Sequence, residues 1–418
     1  MYQKPRGTKD LYGKEMILTQ YIENTIINVL ENYGFSRIDL PTFESTELYI
    51  RGVGNDTDVV SKEMYTFLDK SDRSMTLRPE GTAGLVRAYI ENRMDIELSV
   101  PVKFYYRLPM FRYEKVQKGR QREFTQIGVE TIGTKEALAD YELIEICLKI
   151  LEKLNISENV KLKINSLGNK EIREKYKSEL KKYLKLREEK YCSDCRRRID
   201  TNILRVLDCK NESCKQMNID APKLVDMLDG EDKEHFEELK QYLDASPYKD
   251  IYEIDPLIVR GLDYYNRTVF EIVDETTKAI LGGGRYDDLV EELDGPKTPA
   301  VGFALGVERI REILLNKLTD EEIYALDNNV EYMVICGKNI ANNIYANKIL
   351  NILREKNIKS VTDIYGRSFK AQFKYANKLN VSKVIIISEE DIAKNTMQVK
   401  DMRNGEQKEI TIEELKNI

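Results

Sequence analysis

Apolar positions near the start of the chain recur at Ile22, Ile26, Val29 and Leu30, a spacing that predicts an amphipathic helix over residues 14–33. Gly34 follows as its C-terminal cap. The period then shortens. GFSRIDLPTFESTELY (34–49) reads as a short strand running into Pro41, whose missing N–H suits a strand end or sheet edge. MYTFL (64–68) and SMTLR (74–78) predict a hairpin around Lys70 to Asp72, and PEGT (79–82) opens a helix from Ala83 to Glu91. By itself, a carboxylate at such a helix start reads as a cap.

Residues 111–130, FRYEKVQKGRQREFTQIGVE, predict two strands joined by a basic turn. Period two puts Phe124, Gln126, Gly128 and Glu130 on one face of the second strand, with Thr125, Ile127 and Val129 toward a core. A ring, an amide and a carboxylate then share one floor. The turn gathers Lys115, Lys118, Arg120 and Arg122 around Gly119. Such a cluster suits a phosphate or RNA polyanion, and equally a solvated hairpin tip.

Ala137 to Leu154 has the spacing of a long amphipathic helix. From about Asn169 to Ser246 the chain is rich in Lys and Glu, helical in period, and holds four of its six cysteines, so an inserted helical domain is expected. Strands resume at Leu257 with LIVRGLDYYNRTVFEIV, then AILGGGRYDDL, then AVGFA leading into a glycine-opened helix, LGVERIREILL. Beyond a polar linker near Thr319 to Asn329, EYMVICG, two helices (the second from about Ser368) and KVIIIS give a β–α–α–β pattern. The expected division is 1–168, 169–246, 247–322 and 329–418.

A chain of 418 residues exceeds one ordinary core. With 41% hydrophobic and 33% charged residues it reads as a soluble globular protein, and no apolar run approaches the ~18 residues of a membrane span. MYQKPRGTKDLYG lacks the apolar stretch of a signal peptide, so a cytoplasmic location with no membrane partner is expected. At a net charge of −6, nucleic-acid contact has to rest on local basic patches. The single histidine, His235, lies in EDKEHFEELKQYL, which reads as an exposed charged helix. That excludes HExxH and multi-histidine metal centres, and it turns any chemistry toward placed charges rather than histidine acid–base catalysis.

No GxxxxGK[ST] occurs, and GGG at 282–284 lacks the context of a dinucleotide fold, so alone it reads as a tight turn. Three arginines sit in better company. Arg112 ends a strand, and Arg260 is placed by period two on the same strand face as Tyr264. Arg309 falls in the first turn of a helix after Gly306, where free N–H groups favour an anion. Singly each reads as a surface or ion-pair arginine. Together they suit a triphosphate.

These segments resemble the class II aminoacyl-tRNA synthetases and, within that class, the histidyl-tRNA synthetases. GFSRIDLP resembles motif 1, FRYE with its basic loop motif 2, and GFALGVERI motif 3. TLRPEGT (76–82), RGLDYYNRTVFE (260–271) and GGGRYDDL (282–289) are similar to segments peculiar to the histidyl enzymes, and the likeness runs through essentially the whole chain. It implies an α+β catalytic domain built on an antiparallel sheet, with a helical insertion domain and a C-terminal α/β anticodon-binding domain. It also implies a histidine–tRNA ligase with L-histidine, ATP with Mg²⁺ and cognate tRNA as ligands, acting as a homodimer.

Carried over by position, the resemblance gives Glu80, Gly81, Thr82 and Gln126 to the amino and carboxylate groups of histidine. Glu130 and Tyr264 would bond the imidazole, with Tyr265 and Gly283 shaping the pocket. Arg112 would grip the α-phosphate, Phe124 stack on adenine, Arg309 pair with the γ-phosphate, and Arg260 sit at the reacting phosphorus. Arg112 and Arg260 are thus the expected catalytic pair. Gln117 and Arg120 would meet the tRNA acceptor end. In RSFKAQFKYANK, Lys370, Lys374 and Lys378 share one helical face and Phe369, Phe373 and Ala376 another, which suits a docked helix showing cations to RNA or to solvent. Tyr113, Lys115 and Val116 depart from the His, Arg and Pro that other members often carry.

No metal ligand is assigned to the catalytic site. Cys192-x-x-Cys195 and Cys209-x-x-x-x-Cys214 leave a structural zinc open, since the first spacing is good, the second is wide, and the family does not require the metal. In either case the cysteines are expected to lie remote from catalysis. The main rival is an inactive regulatory paralogue, which would lack the C-terminal domain and often the arginines. A class I synthetase is disfavoured because neither HIGH nor KMSKS occurs.

Overall fold

The computed structural model describes residues 2–54, 57–117, 119–276, 278–327 and 330–417, so Lys118 of the basic turn and Asn329 of the linker lie outside the described residues. The chain forms two compact units, Met1–Ile323 and Tyr324–Ile418.

In the first unit the strands are, in chain order, β1 (Ser36–Arg37), β2 (Phe43–Ser45), β3 (Tyr65–Leu68), β4 (Ser74–Leu77), β5 (Val102–Phe111) and β6 (Glu123–Ile132). They continue with β7 (Lys161–Ser166), β8 (Tyr252–Ile254), β9 (Asn266–Val273), β10 (Ala279–Arg285) and β11 (Ala300–Gly306). Eight of them make one sheet in the order β1-β5-β6-β11-β10-β9-β7-β8, antiparallel except for the outer pairs β1–β5 and β7–β8. A second sheet runs β2-β4-β3, its β3–β4 part being the expected hairpin.

The alternation along β6 works as expected. Ile127 and Val129 are fully buried on the side covered by helices Lys14–Asn32, Ala137–Lys153 and Val307–Lys317. The first helix buries Leu18, Ile22, Ile26, Val29 and Leu30, and Gly34 turns the chain away at φ 79°. The opposite face is hollowed. A register row across it reads Lys163, Glu271, Gly282, Ala304, Gly128 and Tyr106, so its centre carries almost no side chain.

Three expectations fail locally. Residues 257–265 are not strand, because β9 begins only at Asn266. Ile258, Val259, Tyr264 and Tyr265 are buried without ladder partners, and the loop is tied down by Asn165 Nδ2, which donates to the carbonyls of Pro256 (3.3 Å) and Ile258 (3.0 Å). Burial of a continuous apolar run imitates a strand in sequence. The glycine triplet is no turn but the middle of β10. His235 is buried rather than exposed, with Nε2 3.5 Å from Asp140 Oδ2, which also pairs with Arg285 at 2.6 Å.

Residues 169–246 are helical, with helices Lys170–Lys185, Ser193–Thr201, Glu212–Asn218 and Gly230–Ala245, the last packed on Ala137–Lys153. The second unit holds β12 (Tyr332–Cys336), β13 (Ser360–Thr362), β14 (Lys383–Ile387), β15 (Thr396–Asp401) and β16 (Gln407–Thr411). They form a mixed sheet in the order β13-β12-β14-β15-β16, richer than the β–α–α–β pattern by three strands. Of these, β13 is only three residues long, β15 mixes polar with apolar positions and β16 is mostly polar and exposed, so none stands out in sequence. Helix Phe369–Lys378 exposes Lys370, Lys374 and Lys378 and buries Ala376. Phe373 is only half-buried and Phe369 exposed, while Gln372 takes the inner position and bonds both backbone groups of Cys336.

Candidate active site

The hollowed sheet face opens into a cleft of about 800 Å³. Glu80, Thr82, Arg112, Gln126, Glu130, Arg260, Tyr264 and Tyr265 all line it, arriving from four separate stretches of chain. The deepest group is Glu130. Its Oε1 accepts from Thr82 Oγ1 (2.9 Å) and Tyr106 Oη (3.4 Å), and its Oε2 from Tyr286 Oη (2.5 Å). Burial pushes this carboxyl up to about 8, although the three hydroxyl donors oppose the shift.

Space for the cluster is cut by glycines. A Cβ on Gly128 would stand 2.0 Å, and one on Gly81 2.4 Å, from Cζ of Tyr106. Gly81 thus lets the Tyr106 ring reach Glu130, whereas Gly283 packs against the backbone of β11, 2.1 Å being the distance from its would-be Cβ to the carbonyl oxygen of Gly302. Tyr106 and Tyr286 were not among the expected residues. Tyr106 was findable as the register partner of Gly128 on the same face, and Tyr286 lies within the GGGRYDDL segment.

Glu80 does cap a helix, its two oxygens accepting from the N–H groups of Thr82 (2.6 Å) and Ala83 (2.9 Å). It nonetheless faces the cleft, and burial raises its pKa. The tyrosines form a wall, with Tyr264 and Tyr265 ring centroids 4.7 Å apart and Tyr286 edge-on to Tyr264 at 5.6 Å.

Arg260 reaches the cleft from the loop, not from a strand, so period two does not explain its meeting with Tyr264. Its guanidinium pairs with Glu271 and fills the room left by Gly282, where a Cβ would stand 2.6 Å from Nη1. Arg112 donates from Nε to the carbonyl of Pro79 (2.7 Å), lies 5.4 Å from the Phe124 ring centroid, and stands 3.8 Å from Glu114. Phe124 is therefore placed beneath a cation of the cleft, though it does not itself line the cleft. Arg309 pairs with Asp274 and, at 3.6 Å, with Glu312. The neighbouring Glu308 accepts from the N–H of Thr125 (3.0 Å), fastening helix Val307–Lys317 to β6.

The basic turn is less naked than its composition suggests. Gln117 and Arg120 exchange backbone hydrogen bonds (3.3 and 2.9 Å), Arg120 pairs with Glu114 at 3.2 Å, and Arg122 stacks 3.7 Å over Tyr113. Tyr113, one of the departing positions, also meets Tyr65 edge-on at 5.6 Å. The far wall of the cleft comes from the helical stretch and includes Arg205, Asp208, Cys209, Lys210 and Lys215. The cysteine segment thus borders the cleft instead of lying remote from it.

A family model described as Histidyl-tRNA synthetase matches residues 7–310, and one described as Anticodon binding domain matches residues 330–418. The chain is 46% identical over 415 residues to Histidine--tRNA ligase of Thermoanaerobacter pseudethanolicus, covering 98% of this chain and 97% of the relative. It is 46% identical over 416 residues to Histidine--tRNA ligase of Clostridium botulinum strain 657, covering 99% and 97%. Among solved structures, apo S. aureus histidyl-tRNA synthetase superposes with a TM-score of 0.81 at 35% identity, covering 100% of this chain and 99% of that one.

Proposed function

The chain belongs to the histidyl-tRNA synthetase family, and from that premise we propose how its cleft couples L-histidine to tRNA at the expense of ATP. The observation that carries the reading is the meeting in one cleft of Arg112 and Arg260 with the buried Glu130 cluster, Gln126 and Tyr264. Cations for a phosphate and a polar, deep pocket for an imidazole lie side by side. The same arginines, with the full-length likeness, favour an enzyme over an inactive regulatory paralogue.

The histidine ring enters toward Glu130 and Tyr264, and its amino and carboxylate groups are held by Glu80, Thr82 and Gln126. Selection follows from leaving buried polar groups unpaired when an apolar analogue enters, a penalty that reaches roughly 10⁴-fold. ATP arrives as its Mg²⁺ complex, in which the cation belongs to the phosphates. Phe124 supports the adenine, and Arg309 turns from Asp274 to the γ-phosphate.

The histidine carboxylate attacks the α-phosphorus, forming histidyl-adenylate as the bond to pyrophosphate breaks. The nucleophile is already ionised at neutral pH, so no general base is required and the lack of a cleft histidine is no handicap. Arg112 and Arg260 stabilise the charge that builds on the phosphate oxygens. The terminal ribose hydroxyl of the tRNA then attacks the adenylate carbonyl and releases AMP.

Gln117 and Arg120 guide the acceptor end, and Lys370 and Lys374 of the second unit contact the anticodon arm, in line with the Anticodon binding domain match. Activity as a homodimer in the cytoplasm completes the proposal, and among the described residues no helix is long and apolar enough to cross a membrane. The test is direct. Purified protein should form histidyl-tRNA from histidine, ATP and cognate tRNA, and fail with other amino acids; absence of charging by correctly folded protein would overturn the reading.

A further inference from the structure

Four cysteines converge where Cys209 meets the wall of the cleft. Cys192 stands at the N-terminus of helix Ser193–Thr201, and Cys195 follows one turn later. Cys209 lies in the connection to helix Glu212–Asn218, and Cys214 in that helix. All four are free thiols, and their sulfurs lie within 4.8 Å of one another. Around a tetrahedral zinc with Zn–S bonds of about 2.3 Å, sulfur–sulfur edges are about 3.8 Å. The Cys192–Cys209 edge is already 3.8 Å.

The surroundings suit thiolates. The N–H of Cys192 points at Cys214 Sγ and the N–H of Asn211 at Cys209 Sγ, both at 3.4 Å. Donors of this kind hold anionic sulfur and orient it toward a metal. Cys195 and Cys214 are fully buried and Cys209 nearly so, which shields the site from bulk water. Asn218 closes the loop behind them, bonding Tyr191 Oη (3.0 Å) and the carbonyl of Val206 (2.8 Å).

We propose that Cys192, Cys195, Cys209 and Cys214 bind one structural zinc ion as a tetrathiolate. With four protein ligands the coordination is closed, so the metal takes no part in adenylate formation. Its work is to fix the segment between the two cysteine pairs. Arg198 and Arg205 of that segment reach Asp58 at 3.7 and 3.8 Å, next to Val59 of the cleft lining. The metal therefore sets the position of a wall that carries Asp208, Cys209 and Lys210.

The full chain, purified without chelator or metal-affinity resin under reducing conditions, should carry close to one zinc per chain by elemental analysis. Mercurial titration of the thiols should release that zinc in step with modification. Replacing zinc by Co²⁺ should give the sulfur-to-cobalt charge-transfer and intense d–d absorption of a tetrahedral thiolate site. Cys209→Ser should lower the zinc content and weaken the charge-transfer band. If that variant does not fold, the wild-type cobalt spectrum still decides. Zinc-free protein with four freely titrating thiols and no cobalt thiolate band would overturn the proposal, as would mass spectrometry showing two disulfides in protein freshly isolated under anaerobic conditions.

Discussion

Gly302 and Glu130 face each other across β11 and β6, and the glycine leaves the space that the carboxylate occupies: a Cβ on Gly302 would stand 1.7 Å from Glu130 Oε2. The deepest polar group of the cleft is therefore positioned by a missing side chain on the next strand. Gly302→Ala should displace the carboxylate from Tyr286 and Thr82. Overpacking of this kind costs about 1–3 kcal/mol of stability. Losing about two hydrogen bonds to this protonated carboxyl, at about 1 kcal/mol each, should lower kcat/KM for histidine in pyrophosphate exchange by about 30-fold. ATP affinity should stay put. Unchanged exchange kinetics in a folded Gly302→Ala protein would show that Glu130 does not serve histidine.

Arg260 offers a sharper test of phosphate chemistry. Arg260→Ala should fold, bind histidine, and lose about 10²–10³ in the rate of histidine-dependent pyrophosphate exchange. The substitution also strands Glu271 without its partner beside the incoming phosphates. Part of the loss is then repulsion, so adding Glu271→Gln should recover some activity, and the two effects should not add. Exchange close to wild type in Arg260→Ala would remove this residue from the mechanism.

Much of the fold could be read in advance wherever one face of an element is buried. The helix from Lys14 and the alternation in β6 are of that kind, as Ile26 and Val129 illustrate. Legibility failed where burial is two-sided or comes from remote elements. Residues 257–265 are apolar because loop and cleft both bury them, and the glycines of β10 admit Arg260 (at Gly282) and the neighbouring strands (at Gly283 and Gly284) rather than turn the chain. His235 looked exposed because its neighbours are charged, and only the buried Asp140 of a distant helix explains it. Within the cleft, chemistry-bearing residue types were visible one by one. Their convergence was implied by likeness to a family and not by spacing, since Tyr286 and Glu130 meet across more than 150 positions.

The Asp140–Arg285 pair should act as the principal acid-sensitive fastening behind the sheet. Both side chains are fully buried, 2.6 Å apart, and Arg285 also donates to the carbonyls of Thr134 and Glu136 at 2.9 Å. Burial alone would raise the Asp140 carboxyl, but Arg285 and His235 outweigh it and bring it to about 2. A carboxylate depressed in the folded state stabilises fully above its unfolded value near 3.8 and loses that contribution as pH falls toward about 2. Arg285→Met leaves the buried Asp140 without its guanidinium partner and beside His235 alone, which should cost about 3–5 kcal/mol in urea unfolding. Wild-type stability at neutral pH in that variant would refute the assignment.

Glu130 should show the opposite sign. In the folded protein burial keeps its proton on up to about pH 8, whereas the unfolded chain releases it near 4.5. Between those values the native state binds more protons, so the linkage relation makes stability fall as pH rises. This contribution is fully present below 4.5 and gone once pH passes about 8. Glutamine fills the same volume and does not titrate. Glu130→Gln can carry a fixed offset, because its amide meets Thr82, Tyr106 and Tyr286 differently, but it should lose this slope. The stability of wild type relative to the variant should therefore decline from pH 4.5 to about 8, followed by urea midpoints across that range. Parallel stability–pH curves for the two proteins would mean that Glu130 is ionised throughout, and the protonated, buried carboxyl would have to be abandoned.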